Sequence, residues 1–515
     1  MKPFTLKSGK AVRSAQILIA SLILLISSCD KKDNDFSLIQ VTGPYEVEKV
    51  VGGLTYPTSL TWDNEGNMYV AEAGGALGPE QLAPSRIMKV ANGTATEFAN
   101  LTNKGVHAAL VGMVWLNGAF YVTHRAEDLS GAVSRVTMNG QVTKIFDGIL
   151  DSKAEHQIND IKVGPDGKLY VAVGPAGNSG VMDMTVAAFV KLSPWVHTTP
   201  CKDIVLLGRN FKLADFRSNN PIDSVMTGAF VPFGTATSVG QKIPGAKKCG
   251  GSILKFDPNN AEATIAMHAW GFRNLIGIGW DKHGKMYATE NGYDIRGSRP
   301  VKDEFDASLR INEGMWYGVP DFSAGREPLT NAKFEVPDAF QAEVFVGNTS
   351  LGKNLGFVID HAASGLTPPT PAVVLSKHEI NSSPCLFDIA PDSWGPFGGQ
   401  LFIAEWGDLA PPTNPLRGND PAKGYRVVKV DPKTGALTPF VSNSGGIPAS
   451  SQGKTGQGLE RPFDVKFGPD GAMYIVDYGV VKFDMSEKTS FDAKAGTGTI
   501  WKVTQKTKKP KKPKK

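Results

Sequence analysis

Cysteine and histidine are scarce in this chain, and helical periodicity is almost missing. Its 515 residues hold four cysteines and eight histidines, with no CxxCH haem-attachment site and no Cys/His cluster at zinc spacing, so any redox chemistry has to use another cofactor. Beyond the N-terminus no apolar run approaches the ~20 residues a bilayer requires. The basic excess is largely a matter of the two ends. Taking the four positive charges of residues 1–28 and the seven lysines of residues 506–515 from the formal +5 leaves a mildly acidic body at −6. The lysine tail has no interleaved aromatics and no folded basic face, which argues for a solvated, disordered segment and against a nucleic-acid partner.

One phrase, by contrast, returns six times: a small apolar run, an Asn/Asp-Gly turn and an aromatic-rich strand. The copies span Leu60–Glu72, Met113–Thr123, Ile161–Val173, Ile278–Glu290, Ile389–Glu405 and Val465–Asp477. Each predicts a β-hairpin, because the turn pair supplies backbone geometry that most side chains resist and the flanks alternate apolar with polar. Six hairpins joined by Gly- and Pro-containing loops close best as blades around one axis. The fold class is therefore all-β, a six-bladed β-propeller over residues 45–505, with a long rim insertion at 182–247. The 57 glycines, 34 prolines and 41% hydrophobic residues suit one large, turn-rich domain.

The N-terminus carries an address. Lys2, Lys7, Lys10 and Arg13, the apolar stretch Ile17–Ile26 and the small-residue site Ile26-Ser-Ser-Cys29 resemble a bacterial lipoprotein signal over residues 1–28. Cys29 is then the lipidated residue, residues 29–44 a tether, and the location the periplasm, outer membrane or cell surface, with the membrane reached through a lipid anchor. Cys201 and Cys249 bracket the insertion and are a candidate disulfide stapling it, which leaves Cys385 as a buried thiol.

Candidate chemistry lies where loops meet the innermost strands. His156, in Glu155-His-Gln-Ile-Asn-Asp160, enters the third hairpin and can take a proton near neutral pH, with an adjacent carboxylate to orient it; a structural histidine is the alternative. Arg273-Asn274 puts a fixed cation and an amide at the start of the fourth. Backbone carbonyls of Asn291-Gly-Tyr-Asp294 suit a hard cation such as Ca²⁺.

His156-x-x-Asn159, Gly271-Phe-Arg-Asn274, Ala288-Thr-Glu-Asn291, Trp316-Tyr-Gly-Val-Pro320, Phe402-Ile-Ala-Glu-Trp-Gly407 and Arg461-Pro462, in this order, resemble the glucose/sorbosone dehydrogenase family, nearer its sorbosone branch. The resemblance implies a quinoprotein that oxidises a sugar, or a sugar-derived alcohol or aldehyde, with pyrroloquinoline quinone (PQQ) and Ca²⁺ in the axial funnel and an external electron acceptor. It makes His156 the general base, Arg273 the stabiliser of the reduced oxygen, Asn274 and Arg461 cofactor-binding residues, and the carbonyls of Gly292 and Tyr293 the Ca²⁺ ligands. The chain also departs from the family. A lysine after the fifth-blade strand and a second arginine two residues beyond the first are replaced by Ala404-Glu-Trp-Gly-Asp408 and Arg461-Pro-Phe463, leaving Lys153, Arg125 and Arg426 to compensate. Two other readings stand beside the dehydrogenase. One is a metal-dependent lactonase or hydrolase using Glu72, Glu290, Glu405 and Asp477; the other is a non-enzymatic surface propeller that binds glycan or protein.

Overall fold

Four of the hairpin turns are built on an aspartate that binds its own backbone. Asp63 and Asp281 each accept two N–H groups through Oδ1, at positions two and four residues on, all at 2.9 Å. Their second oxygens accept the hydroxyls of Tyr69 and Tyr287, as Asp166 and Asp470 accept those of Tyr170 and Tyr474. The repeated tyrosine thus buries its ring between sheets while its hydroxyl ties the strand to the turn. In the second hairpin Asn117 and Gly118 carry φ of 48° and 78°, the left-handed pair that a two-residue connection needs.

In the computed structural model, which describes residues 36–75, 78, 80–483 and 491–506, these hairpins form the inner halves of six antiparallel sheets. From inside outward the first blade is Pro57–Trp62, Met68–Ala73, Ser85–Ala91 and Thr94–Asn100. The third is Ile158–Val163, Leu169–Val173, Ser252–Phe256 and Ala266–Trp270, and the fourth begins with Asn274–Trp280 and Met286–Asn291. The sixth combines Pro462–Phe467, Met473–Asp477 and Gly498–Gln505 with Tyr45–Leu54 from the start of the fold, so the ring is closed by pairing strands from its two ends. Apolar faces of neighbouring blades pack on one another, as where Tyr121, Val133 and Phe146 of blade two meet Ile161, Leu254 and Phe256 of blade three.

Polar clips register the innermost strands. Asn159 donates to the Leu275 carbonyl at 2.8 Å, and Asp160 accepts Ile278 N–H at 3.1 Å, joining blades three and four. Asp388 accepts Phe467 N–H at 2.9 Å between blades five and six. Asp464 accepts the Ser59 hydroxyl at 3.1 Å and holds Lys466 at 2.8 Å, linking the last blade to the first.

The insertion is larger than expected, filling the chain between Val173 and Ser252. Its strand Arg209–Ala214 pairs with Ser224–Gly228 on one side and on the other with Glu343–Val346, from a second insertion in blade four. Cys201 and Cys249 form a disulfide across a separation of 48 residues, and Cys385 is a buried free thiol. The expected tether ends earlier than residue 44. Ile39–Val41 pairs with the Leu437–Asn443 strand of blade five, and the Phe36 ring packs edge-on against Trp501 at 5.2 Å, because alternate apolar residues there fit an open sheet edge. Cys29, the signal segment and residues 507–515 lie outside the described residues. Among the described residues no helix is long and apolar enough to cross a membrane.

Asp464→Ala leaves the half-buried Lys466 without its ion-pair partner and removes the clip between the last and first blades. It should cost about 3 kcal/mol, read as a lower chemical-denaturation midpoint. A change too small to resolve contradicts this role for the clip.

Candidate functional site

The start of each innermost strand, or the residue leading into it, reaches the axis. Thr58, Val111, Asn159, Ile276, Cys385 and Phe463, one from each blade in order, line a single cavity of about 170 Å³. Its wall divides by chemistry. Glu155, His156, Gln157, Arg273, Asn274, Asn291, Gly292, Asp294 and Asp306, from blades three and four, form a polar side. Trp406, Leu409, Phe463 and Tyr478, from blades five and six, complete an apolar side with Ile276 and Val111.

His156 is 6% exposed, and its Nδ1 lies 3.0 Å from the Pro175 carbonyl. A carbonyl only accepts, so the proton sits on Nδ1 and Nε2 carries the lone pair. Nε2 makes no hydrogen bond among the described residues and stands 3.8 Å from Glu155 Oε1. Burial pushes the imidazole down to about 4; the nearby Glu155 opposes this, and Arg273 and Arg296 add to it. At neutral pH the ring is an uncharged base. Gly174 makes the packing possible, since a Cβ there would fall 2.4 Å from His156 Cβ and 3.2 Å from Asn274 Oδ1.

Arg273 is held by an extended charge network. Its Nη2 donates to Asn178 Oδ1 at 2.9 Å and to Asp294 Oδ2 at 2.7 Å, its Nη1 to the Asn291 carbonyl at 3.3 Å, and its backbone N–H to Glu290 Oε1 at 2.7 Å. Arg296 joins the same Asp294 oxygen at 2.9 Å to both oxygens of Glu155. Burial alone would raise the Glu155 carboxyl, yet Arg296, His156 and Arg273 hold it down to about 2. Two guanidinium groups and two carboxylates therefore alternate along one chain and cancel. Asp306, beside Gly292 N–H at 2.8 Å, is raised to about 7 by burial.

His156, Arg273, Asn274 and Gly292 come together as expected from the sequence. Arg461 does not. Its two Nη groups are bonded to the carbonyls of Trp406, Gly407 and Asp408 at 3.2–3.3 Å, and the guanidinium lies between the rings of Trp406 and Tyr425, 4.1 and 5.0 Å from their centroids. The turn after the fifth-blade strand presents these carbonyls to it and puts Trp406 between it and the cavity. Tyr293 is buried away from the cavity wall, its hydroxyl donating to the Phe322 carbonyl at 3.1 Å. The candidate compensating cations are committed elsewhere: Arg426 to Glu405 and Glu379, Lys153 to Asp128, and Arg125 to backbone carbonyls including Ser152 and Ala154.

The four acids of the hydrolase reading do not converge on a metal. Each is spent at the end of its strand: Glu72 on Thr55 N–H and Arg86, Glu290 on Arg273 N–H and Arg326, Glu405 on His378 and Arg426, Asp477 on Glu460 and Arg461 N–H. Among the described residues no group of three or more His, Cys, Asp or Glu side chains is placed to hold a metal ion. A Ca²⁺ at Gly292 would depend on a bound ligand for most of the six to eight oxygens it takes.

These residues meet PQQ only in part. The polar side suits a quinone's carbonyl edge, for Arg273 Nε is buried and has no acceptor among the described residues. The three carboxylates of PQQ find no uncommitted cation on the wall, and desolvating each without a partner costs several kcal/mol. Sequence reasoning missed Arg296 and Asn178, whose partners lie 141 and 95 residues away, and missed the aromatic wall as well. The replacements at 406 and 463 were its visible signal.

No family model matches the chain, and no curated protein sequence matches it. Solved structures do. The holo pyranose dehydrogenase PQQ domain from Coprinopsis cinerea is 13% identical, with 90% of this chain and 96% of that one covered and a TM-score of 0.51. A calcium structure of a carbohydrate-active enzyme of family AA12 from Trichoderma reesei is 14% identical, covering 91% and 97% with a TM-score of 0.51. The PQQ-bound aldose sugar dehydrogenase of Streptomyces coelicolor is 16% identical, covering 90% and 99% with a TM-score of 0.47. The likeness is one of architecture: this chain folds as the Coprinopsis domain and the Trichoderma enzyme do.

Proposed function

We propose that the chain is a sugar dehydrogenase of the quinoprotein type, acting on a sugar or a sugar-derived alcohol or aldehyde in its axial cavity. The observation that carries this reading is a buried, uncharged His156 with its proton fixed on Nδ1 and its Nε2 unengaged beside that cavity. The Pro175 carbonyl orients the ring, Arg296 keeps the neighbouring Glu155 ionised, and Asn274 offers an amide to a bound oxygen. The alcohol becomes a carbonyl compound. Its hydroxyl proton goes to Nε2, and its carbon-borne hydrogen leaves with the electron pair to a hydride acceptor of the quinone class, which is what such a group supplies when bound. The apolar side of the cavity keeps bulk water from the reacting carbon.

The same reading has an external acceptor take the electrons onward and Cys29 anchor the chain by lipid outside the cytoplasm. Ca²⁺ at the Gly292 carbonyl and a sorbosone-type substrate belong to it as further proposals. PQQ is the oxidant that the resemblance implies, and the cavity does not match its carboxylates.

Aldoses and their oxidised relatives should reduce a dye acceptor in the presence of protein and added quinone. His156→Ala should lower kcat by about 10² to 10⁴-fold while leaving quinone binding intact; unchanged turnover in that variant contradicts the assignment. Since the base works unprotonated and its pKa is depressed, kcat/KM of the Asp306→Asn protein, which lacks the wall carboxyl that titrates near 7, should stay level as pH falls through 6.5 and drop only near 4. An acid limb at 6 or above would contradict a buried imidazole base.

A further inference from the structure

We infer that the axial cavity is built for a planar quinone of low charge, such as a naphthoquinone ring, in place of a tricarboxylate. The inference rests on the dehydrogenase reading above for the identity of the ligand as a quinone, and on geometry for its charge. Every cation at or near the cavity is already neutralised or bonded. Arg273 and Arg296 are balanced by Asp294 and Glu155, and Arg461 is bonded to three carbonyls behind Trp406.

Aromatic side chains line the part of the cavity contributed by blades five and six. Tyr478 donates its hydroxyl to the Gly75 carbonyl at 3.1 Å and stacks on Tyr56 at 5.7 Å, so its ring is fixed. Trp406 is backed by the Arg461 guanidinium and meets Tyr478 at 6.1 Å, and Phe463 meets Tyr478 at 6.3 Å. Three braced rings beside a cavity favour a flat aromatic ligand, which loses little freedom on stacking there.

On the cavity wall, Arg273 Nε and, in the loop that carries Leu409, Thr413 Oγ1 are buried donors without acceptors among the described residues. Neutral quinone oxygens can accept such bonds without bringing in charge. Trp406 and Phe463 thus act as specificity determinants, excluding a polyanion by supplying ring faces where it would need cations.

Equilibrium dialysis of the purified protein tests this with 1,4-naphthoquinone and with PQQ, each with and without Ca²⁺. The wild type should hold naphthoquinone at least about tenfold more tightly than PQQ with Ca²⁺, and Phe463→Ala should weaken naphthoquinone by about tenfold. Phe463→Arg, and the Trp406→Lys/Phe463→Arg pair, should shift the preference toward PQQ. The assignment is overturned if the wild type prefers PQQ, if it binds neither quinone, or if Phe463→Ala leaves naphthoquinone affinity unchanged. Naphthoquinone binding without oxidation of any sugar would uphold the cavity assignment and refute the dehydrogenase reading, so the two fail separately.

Discussion

Glu155, Arg296, Asp294 and Arg273 form one alternating chain of charges across the rim between blades three and four, and the character of the cavity follows from it. The pairs are largely desolvated, so removing any member strands its neighbour, and the four hold one another in place. Glu155 precedes His156 in the chain, so the network sets the backbone from which the imidazole projects. Asn178, bonded to Arg273 and to the carbonyls of Asp294 and Arg296, extends the same network into the insertion. The arrangement builds a rigid polar wall with no net charge to spare.

The repeating architecture explains why such a wall can face an aromatic one. Every blade starts its innermost strand near the axis, so residues of unrelated chemistry meet there whatever their separation in sequence. Strand-end acids recur for structural reasons, each tying down the backbone or an arginine where the chain turns. Arg461 shows how one carbonyl-rich turn can divert a cation. Bonded to Trp406, Gly407 and Asp408, it stiffens the aromatic side of the cavity instead of charging it.

Much of this was legible in the sequence. The Asn/Asp-Gly turns and the tyrosine four to six residues after each turn aspartate carry local physics, and local physics reads out along a chain; the six hairpins follow from it. His156, Arg273, Asn274 and Gly292 were legible because each sits at a fixed offset from a hairpin. The direction of the Arg461 guanidinium was not, for it depends on carbonyls more than fifty residues away, and neither was the pairing of Arg296 with Glu155. The sheet shared by Arg209–Ala214 and Glu343–Val346 lay beyond reach for the same reason: two insertions complete each other's edges, and neither strand shows its partner. The four strand-end acids misled in the opposite sense, since recurrence at one position looks like convergence until their partners are seen.

The proposed chemistry breaks a carbon–hydrogen bond of a sugar in this cavity while His156 takes the hydroxyl proton. The most direct measurement is kcat/KM for an aldose deuterated at the oxidised carbon against the protiated sugar, with a quinone and dye acceptor present. Turnover of the deuterated sugar should be slower in the wild type, and His156→Ala should lose nearly all turnover. Equal rates for the two sugars in the wild type, together with unaltered turnover by His156→Ala, would contradict it.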